Sequence, residues 1–299
     1  MLKKILIGMS LLMSLHSFSQ QLINVNPATS TESTENLEYL IQNVLISGAC
    51  ANASNFYSET YGAQIDVHNK SYGYFVKPTT SNFPFDEGVV MTTGKAFQGG
   101  NNAMAFVSTN LTGATFSDSD ADLENFMGFP TGSTHDKTFI EFDFVPATNQ
   151  ISFRFLMAST EYDGSTECNF ADGFAFLLRP ITSTTYTNLA ILPDGTPVNV
   201  TNINGMESNC TSHPEYFAGY EFSFPSIVDT NYGGRTIPLI ATAAVIPNQM
   251  YHIKLVLADK NDAIWDTAIF LEAGSFNLGI DFGTDMTIAT NTAVCGDTF

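Results

Sequence analysis

The 299-residue sequence predicts a mainly β protein, an antiparallel β-sandwich of the jelly-roll or lectin-like kind with one N-terminal helix and one short second helix. Three observations predict it. Short segments rich in Phe, Val, Ile and Thr recur between clusters of Gly, Pro, Asn and Asp. In the strongest segments apolar residues alternate, as Ile151, Phe153, Phe155 and Met157 do, and again Phe174, Phe176 and Leu178. The opposite faces of these segments are partly apolar too, so the strands are expected to be covered on both sides, which in a chain with little helix means stacked sheets.

The chain opens with Lys3 and Lys4, an apolar run from Ile5 to Leu15, and Ser17-Phe18-Ser19 before Gln20. This is the pattern of a cleaved secretory signal over residues 1–19, and the run is too short to span a bilayer. No later stretch reaches the roughly 20 apolar residues of a spanning helix, so the mature protein is expected to be secreted or displayed at the cell surface. Removing Lys3 and Lys4 leaves 9 basic against 30 acidic residues, and the formal charge moves from -19 to -21. Such a chain repels nucleic acid and anionic lipid. Its acidity serves solubility, or supplies carboxylates that divalent cations neutralise.

Leu37, Leu40, Ile41, Val44 and Leu45 recur at helical spacing after a Ser/Thr/Glu-rich entry, with Gly48 as the expected stop. A shorter helix is predicted over 118–127, with acidic residues in its first turn where the helix dipole favours them. Strands are predicted over 88–93, 138–145, 150–158, 173–178, 187–192, 251–258 and 268–273. One sandwich domain over residues 20–276 accounts for these elements. The remainder, 277–299, reads as a linker and the first strand of a truncated immunoglobulin-like repeat, since a lone strand needs partners to stay folded.

Four cysteines in an exported chain permit disulfides, and none has the C-x-x-C spacing of a zinc or redox motif. Cys168 and Cys210 lie in polar loops beside strand-like segments and are expected to pair; the pairing of Cys50 and Cys295 stays open.

Catalytic motifs are weak. In "FIEFDFVP" Glu141 and Asp143 alternate onto one strand face, resembling the carboxylate strand of β-sandwich glycoside hydrolases, but Pro146 stands where the third acid belongs. There is no nucleophile elbow, and His68, His135, His213 and His252 lie in unrelated contexts. Zinc-protease, phosphate-loop and dinucleotide motifs are absent.

Two acidic loops remain. One runs through "STEYDGSTECNFADGFAFLL" with Glu161, Asp163, Glu167 and Asp172; the other, "LADKNDAIWDTAIFLEAGSF", holds Asp259, Asn261, Asp262 and Asp266. Calcium takes six to eight hard oxygen ligands, which such loops offer, although the spacing is not that of an EF-hand. The alternative is ordinary turn chemistry, with carboxylates capping backbone N–H groups. Trp265, the only tryptophan, lies within the second loop. Beside carboxylates and asparagines it is either a packed ring or a plate for a sugar face.

The segments "FDFVPATNQISFRFLMASTEYDG", "DGFAFLL", "YHIKLVLAD" and "DTAIFLEAGSF", supported by "NVNPATSTE" and "GVVMTTGKA", resemble the choice-of-anchor L domain of secreted and surface Bacteroidota proteins, over residues 24–276. The resemblance implies an exported β-rich module joined to varied surface anchors. Within it Glu161 and Tyr162 match the family's Ser-Glu-Glu-Tyr position, with Thr160 replacing the first glutamate. Asp172, Asp259, Asp266 and Glu272 match its acidic positions, whereas Asp163 matches none. Asp163 and Glu167 therefore read as a solvated rim around a disulfide cysteine.

The sequence thus predicts a non-enzymatic binding or adhesion module, calcium-assisted through Glu161, Asp172, Asp259, Asp262 and Asp266, with Trp265 against an extracellular glycan or cell-surface component. A carbohydrate-active enzyme on the same sandwich and a purely structural surface spacer are the alternatives.

Overall fold

The computed structural model describes residues 21–47, 52–101, 111, 118–170, 172–205, 210–221, 227–261 and 263–278. Residues 1–20, where a signal is expected, Cys50, Asp262 and the residues from 279 onward, Cys295 included, lie outside the described residues. In chain order the strands are β1 (Asn24–Val25), β2 (Ile46–Ser47), β3 (Asn52–Glu59), β4 (Tyr72–Val76), β5 (Glu87–Thr92), β6 (Thr134–Val145), β7 (Gln150–Ser159) and β8 (Gly173–Pro180). They continue with β9 (Thr187–Asn188), β10 (Phe217–Tyr220), β11 (Gly234–Thr236), β12 (Leu239–Ala244), β13 (Tyr251–Lys260), β14 (Thr267–Glu272) and β15 (Phe276–Asn277).

Two antiparallel sheets face each other, as the alternation requires. The larger runs β1-β4-β5-β14-β7-β11-β10, with β12 taking the other half of the free edge of β7; the smaller runs β3-β6-β13-β8-β9. A short parallel pair joins β15 to β2. Between the sheets, Phe153 and Phe155 of β7 meet Phe174 and Phe176 of β8, with ring centroids 4.4 to 5.3 Å apart and mostly edge to face, the arrangement the ring quadrupoles favour.

The outer faces are covered as well. Leu156 and Ala158 of β7, with Ala268 and Phe270 of β14, lie under Phe75, Phe83, Val25 and Tyr232. Ala175, Leu177, Val256 and Ala258 of the smaller sheet pack beneath helix α2 (Ala121–Met127) through Leu123. Among the described residues no helix is long and apolar enough to cross a membrane.

The N-terminal helix begins at Asn36, whose Oδ1 accepts the Tyr39 N–H at 2.7 Å, and runs as α1 (Leu37–Leu40) into a π-type turn, Ile41–Leu45. Leu37, Leu40, Ile41 and Leu45 face the main core. The helix ends three residues before the expected glycine, because Ile46 turns into β2. The segment predicted as a strand over 187–192 joins a ladder at Thr187–Asn188 and makes an isolated bridge from Ile191 to Pro197. There the Asn188 side chain accepts the N–H groups of Phe176 and Ala190 at 3.1 and 2.9 Å, taking the place of the ladder.

Helix α2 is held at both ends. Asp120 caps it by accepting the Leu123 N–H at 3.0 Å, and Gly128 closes it in the left-handed region. Inside, burial opposes ionisation of Glu124, but the N–H groups of Gly132 and Thr134 and the Thr134 hydroxyl, at 2.8 to 3.0 Å, outweigh it and hold the carboxyl below its usual range. A depressed carboxylate contributes stability that is present above its unfolded value and is lost as pH falls through the folded one. Glu124→Gln is therefore expected to cost about 1 to 3 kcal/mol near neutral pH, read by denaturant melts. The difference from the unsubstituted protein should shrink below about pH 4; a constant difference would contradict it.

Candidate functional site

Both acidic loops emerge at one end of the sandwich because β7 and β14 are neighbours, with Ser159 opposite Thr267. The loop leaving β7 carries residues 160–172 into β8, and the loop leaving β13 carries 261–266 into β14. Backbone bonds clamp them together: the Thr160 N–H donates to the Asp266 carbonyl at 3.1 Å, and the Asp266 N–H donates to the Leu111 carbonyl at 2.8 Å.

Four of the five acidic residues nominated by the sequence meet here: Asp259 is 0% exposed, and Glu161, Asp172 and Asp266 are each 1% exposed. The fifth, Asp262, lies outside the described residues. Asp172 is well held, accepting the Lys260 N–H at 3.1 Å through Oδ1 and the Thr267 hydroxyl at 2.6 Å through Oδ2. Its own N–H points at Glu161 Oε2 at 3.4 Å, which ties the two ends of the first loop. Asp266 presses on Gly94 so closely that a Cβ at Gly94 would lie 1.7 Å from Oδ2.

Asp259 differs from all of these. Neither of its carboxylate oxygens has a well-formed hydrogen bond among the described residues, although the Thr93 hydroxyl acts on them as a donor. Burial, and then the charges of Asp172 and Asp266, push its carboxyl well above the usual range, and the Thr93 hydroxyl offsets this only in part. Asp136 adds to the repulsion. Sequence reasoning did not single it out. It lies in β6 where the register against β13 shifts between Leu257 and Asp259, at a left-handed φ of 51° that marks a bulge and accompanies its burial. Its one visible signal is an acid at the start of an otherwise ordinary strand.

Beside the carboxylates opens a cleft of about 230 Å³ lined by Trp265, Ile264, Phe170, Thr166 and Glu161. Trp265 is half-buried and held at a left-handed φ of 72° by the tight passage from the second loop into β14. Under the cleft, the disulfide Cys168–Cys210 braces the first loop. Asp163 accepts the N–H groups of Ser165 and Thr166 at 2.8 and 2.6 Å and so folds the turn. Glu167 is not solvated rim: it is fully buried and accepts the Tyr220 hydroxyl at 2.7 Å, because β10 folds over the loop.

The glycosidase-like pair lies elsewhere, on β6 in the smaller sheet. Asp143 accepts from Asn55 Nδ2 at 2.8 Å and faces His252 Nδ1 at 2.8 Å, while Glu141 stands 3.6 Å from the other ring nitrogen. Asn55 and His252 thus engage Asp143 within a hydrogen-bonded network on the strand. Among the described residues no group of three or more His, Cys, Asp or Glu is disposed to hold a metal ion directly.

The disulfide closes a span of 42 residues, for which chain entropy assigns about 4 kcal/mol. Replacing both Cys168 and Cys210 by Ser is expected to lower stability by about 2 to 4 kcal/mol and to increase protease cutting of the 160–172 loop. Unchanged melting and unchanged digestion would show that the brace is dispensable.

A family model described as the Choice-of-anchor L domain matches residues 25–277. No curated protein and no solved structure matches the chain.

Proposed function

Since the chain belongs to the choice-of-anchor L family, which points to surface or secreted modules, we propose that it is a non-enzymatic binding module presenting the Trp265 cleft to an extracellular glycan or another cell-surface component, with calcium assisting by ordering the loops around it. The observation that carries this reading is the cleft itself. An aromatic plate with Ile264 and Phe170 forms its apolar surface, and Glu161 and Thr166 supply polar groups at its edge, the combination that suits a sugar ring with one apolar face and several hydroxyls. Fixed loops reduce the ordering entropy that binding must overcome.

The enzyme reading has less support, because Asp143 is engaged by Asn55 and His252. A spacer without a ligand is the competing outcome. A glycan array, followed by fluorescence titration of the single tryptophan with any hit, separates them. Saturable quenching or a blue shift is expected, and Trp265→Ala should weaken binding by about tenfold or more while leaving the melting temperature nearly unchanged. An array without hits, or a hit that Trp265→Ala binds equally well, would overturn the cleft as the contact surface.

A further inference from the structure

His213, three residues beyond Cys210, joins three pieces of chain. Its Nδ1 lies 2.8 Å from the Asn202 carbonyl and 3.0 Å from the Ser212 hydroxyl, and its Nε2 lies 3.1 Å from Asp194 Oδ2. A carbonyl and a carboxylate accept hydrogen bonds and cannot donate them, so each ring nitrogen faces an acceptor. Neutral imidazole carries a single N–H and would turn a lone pair toward one of the two; only imidazolium donates to both. The Ser212 hydroxyl, which both donates and accepts, suits either form.

The surroundings favour that charged form. Asp194 Oδ1 accepts the Thr196 N–H at 2.9 Å, and this bond together with His213 holds the Asp194 carboxyl below its usual range. The Asn202 carbonyl, then Asp194, hold the His213 ring above its usual value; burial opposes them, and the charge of Glu215 adds to them, with the Tyr216 ring 6.4 Å away. The segment so gripped supports the first acidic loop. The Thr201 hydroxyl donates to the Glu167 carbonyl at 2.9 Å and faces the Phe170 carbonyl at 3.4 Å, and the Tyr162 hydroxyl donates to the Ile203 carbonyl at 2.7 Å. Phe170 lines the Trp265 cleft. At residue 204 the segment is tied by bonds that do not titrate, since Asn204 N–H donates to the Ser212 carbonyl and Ser212 N–H donates to Asn204 Oδ1, both at 2.9 Å. Its ties to His213 at Asn202 and Asp194 depend on one ring.

We propose that protonated His213 is a pH-sensitive latch that clamps the turn at Asp194 and the 199–203 segment to residues 212–213, and thereby positions the Phe170 wall of the Trp265 cleft. The inference concerns regulation of the proposed site and rests on that reading only in taking the cleft as the binding surface. A histidine raised in the folded state contributes stability that is fully present below its unfolded value, about 6.5, and is lost as pH rises through the folded value. The latch is therefore closed in mildly acidic surroundings and opens in the alkaline direction. Glu124 has the opposite sign, its contribution being lost on acidification.

The test uses the full chain. Histidine ring resonances are followed by NMR from about pH 5 to about pH 9, with His213→Gln assigning the His213 signal, and acrylamide quenching of Trp265 fluorescence is read over the same range. His213 is expected to titrate above the free-histidine value of about 6.5, and quenching should rise as pH passes through that same midpoint. Asp194→Asn should lower both midpoints together by roughly 0.2 to 0.7 of a pH unit, the scale of an exposed ion pair. In His213→Gln the quenching step should disappear. If His213→Gln does not fold, Asp194→Asn carries both readings, since the Asp194 side chain is 55% exposed. A His213 midpoint at or below about 6.5 would overturn the latch. A quenching step that persists in His213→Gln, or that stays in place when Asp194→Asn moves the ring's midpoint, would overturn its hold on the cleft. A glycan array without hits would bear on the ligand of the cleft and leave the latch standing.

Discussion

The pairing of β7 with β14 is the constraint on which the rest of the molecule depends. These two strands form the middle of the larger sheet, and both of their faces are buried: Phe155, Met157, Ile269 and Leu271 toward the smaller sheet, Leu156, Ala158, Ala268 and Phe270 toward the outer cluster. A slip of one residue would exchange the two sets, putting alanines where phenylalanine and methionine fill the inter-sheet space. The same register places Ser159 opposite Thr267, and from those two positions the acidic loops depart. Core packing and the geometry of the carboxylates therefore have one cause.

Around that register the chain treats buried charge in two ways. On the flanks, each such group is matched within hydrogen-bonding distance: Arg235 forks onto Asp229, and Lys254 bridges Asp120 and Asp122. Such pairs roughly balance their desolvation and chiefly specify one arrangement. At the loop end Asp259 lacks any such match among the described residues, and the strain of its surroundings is held by strong neighbours: the hydroxyls of Thr267 and Ser159, the tight approach of Asp266 to Gly94, and the disulfide below. Local destabilisation of this kind is a common mark of a functional region.

Much of this was readable in advance, and the unread parts have definable reasons. Strict alternation with large side chains announced β7 and β8, and the helical spacing of Leu37, Leu40, Ile41, Val44 and Leu45 announced the first helix. Strands β11 and β12 escaped because Gly234–Thr236 is only a bridge length and Leu239–Ala244 alternates small alanines with exposed residues on an edge. Strand β3 escaped because it is largely polar, an edge strand with only one neighbour. At the candidate site, family resemblance and acidic spacing pointed to Glu161, Asp172, Asp259 and Asp266. Asp136 depended on a bulge, and the burial of Glu167 depended on β10 arriving from 50 residues downstream. Both are tertiary events with no local periodic signature.

The pairing of β15 with β2 also fixes how mechanical load would enter the domain. Phe276 packs edge-on against Phe142, Phe144 and Phe153, and the Leu278 N–H and carbonyl bond to Ser47 and Ala147. Tension on any chain beyond residue 278 is thus delivered to the centre of the aromatic core and to the end of the N-terminal helix together. The carboxylate loops at residues 160–172 and 261–266 join strands of that same core without being part of this exit. A pull on the chain after residue 278 would therefore bear on the phenylalanine stack before it bore on the cleft.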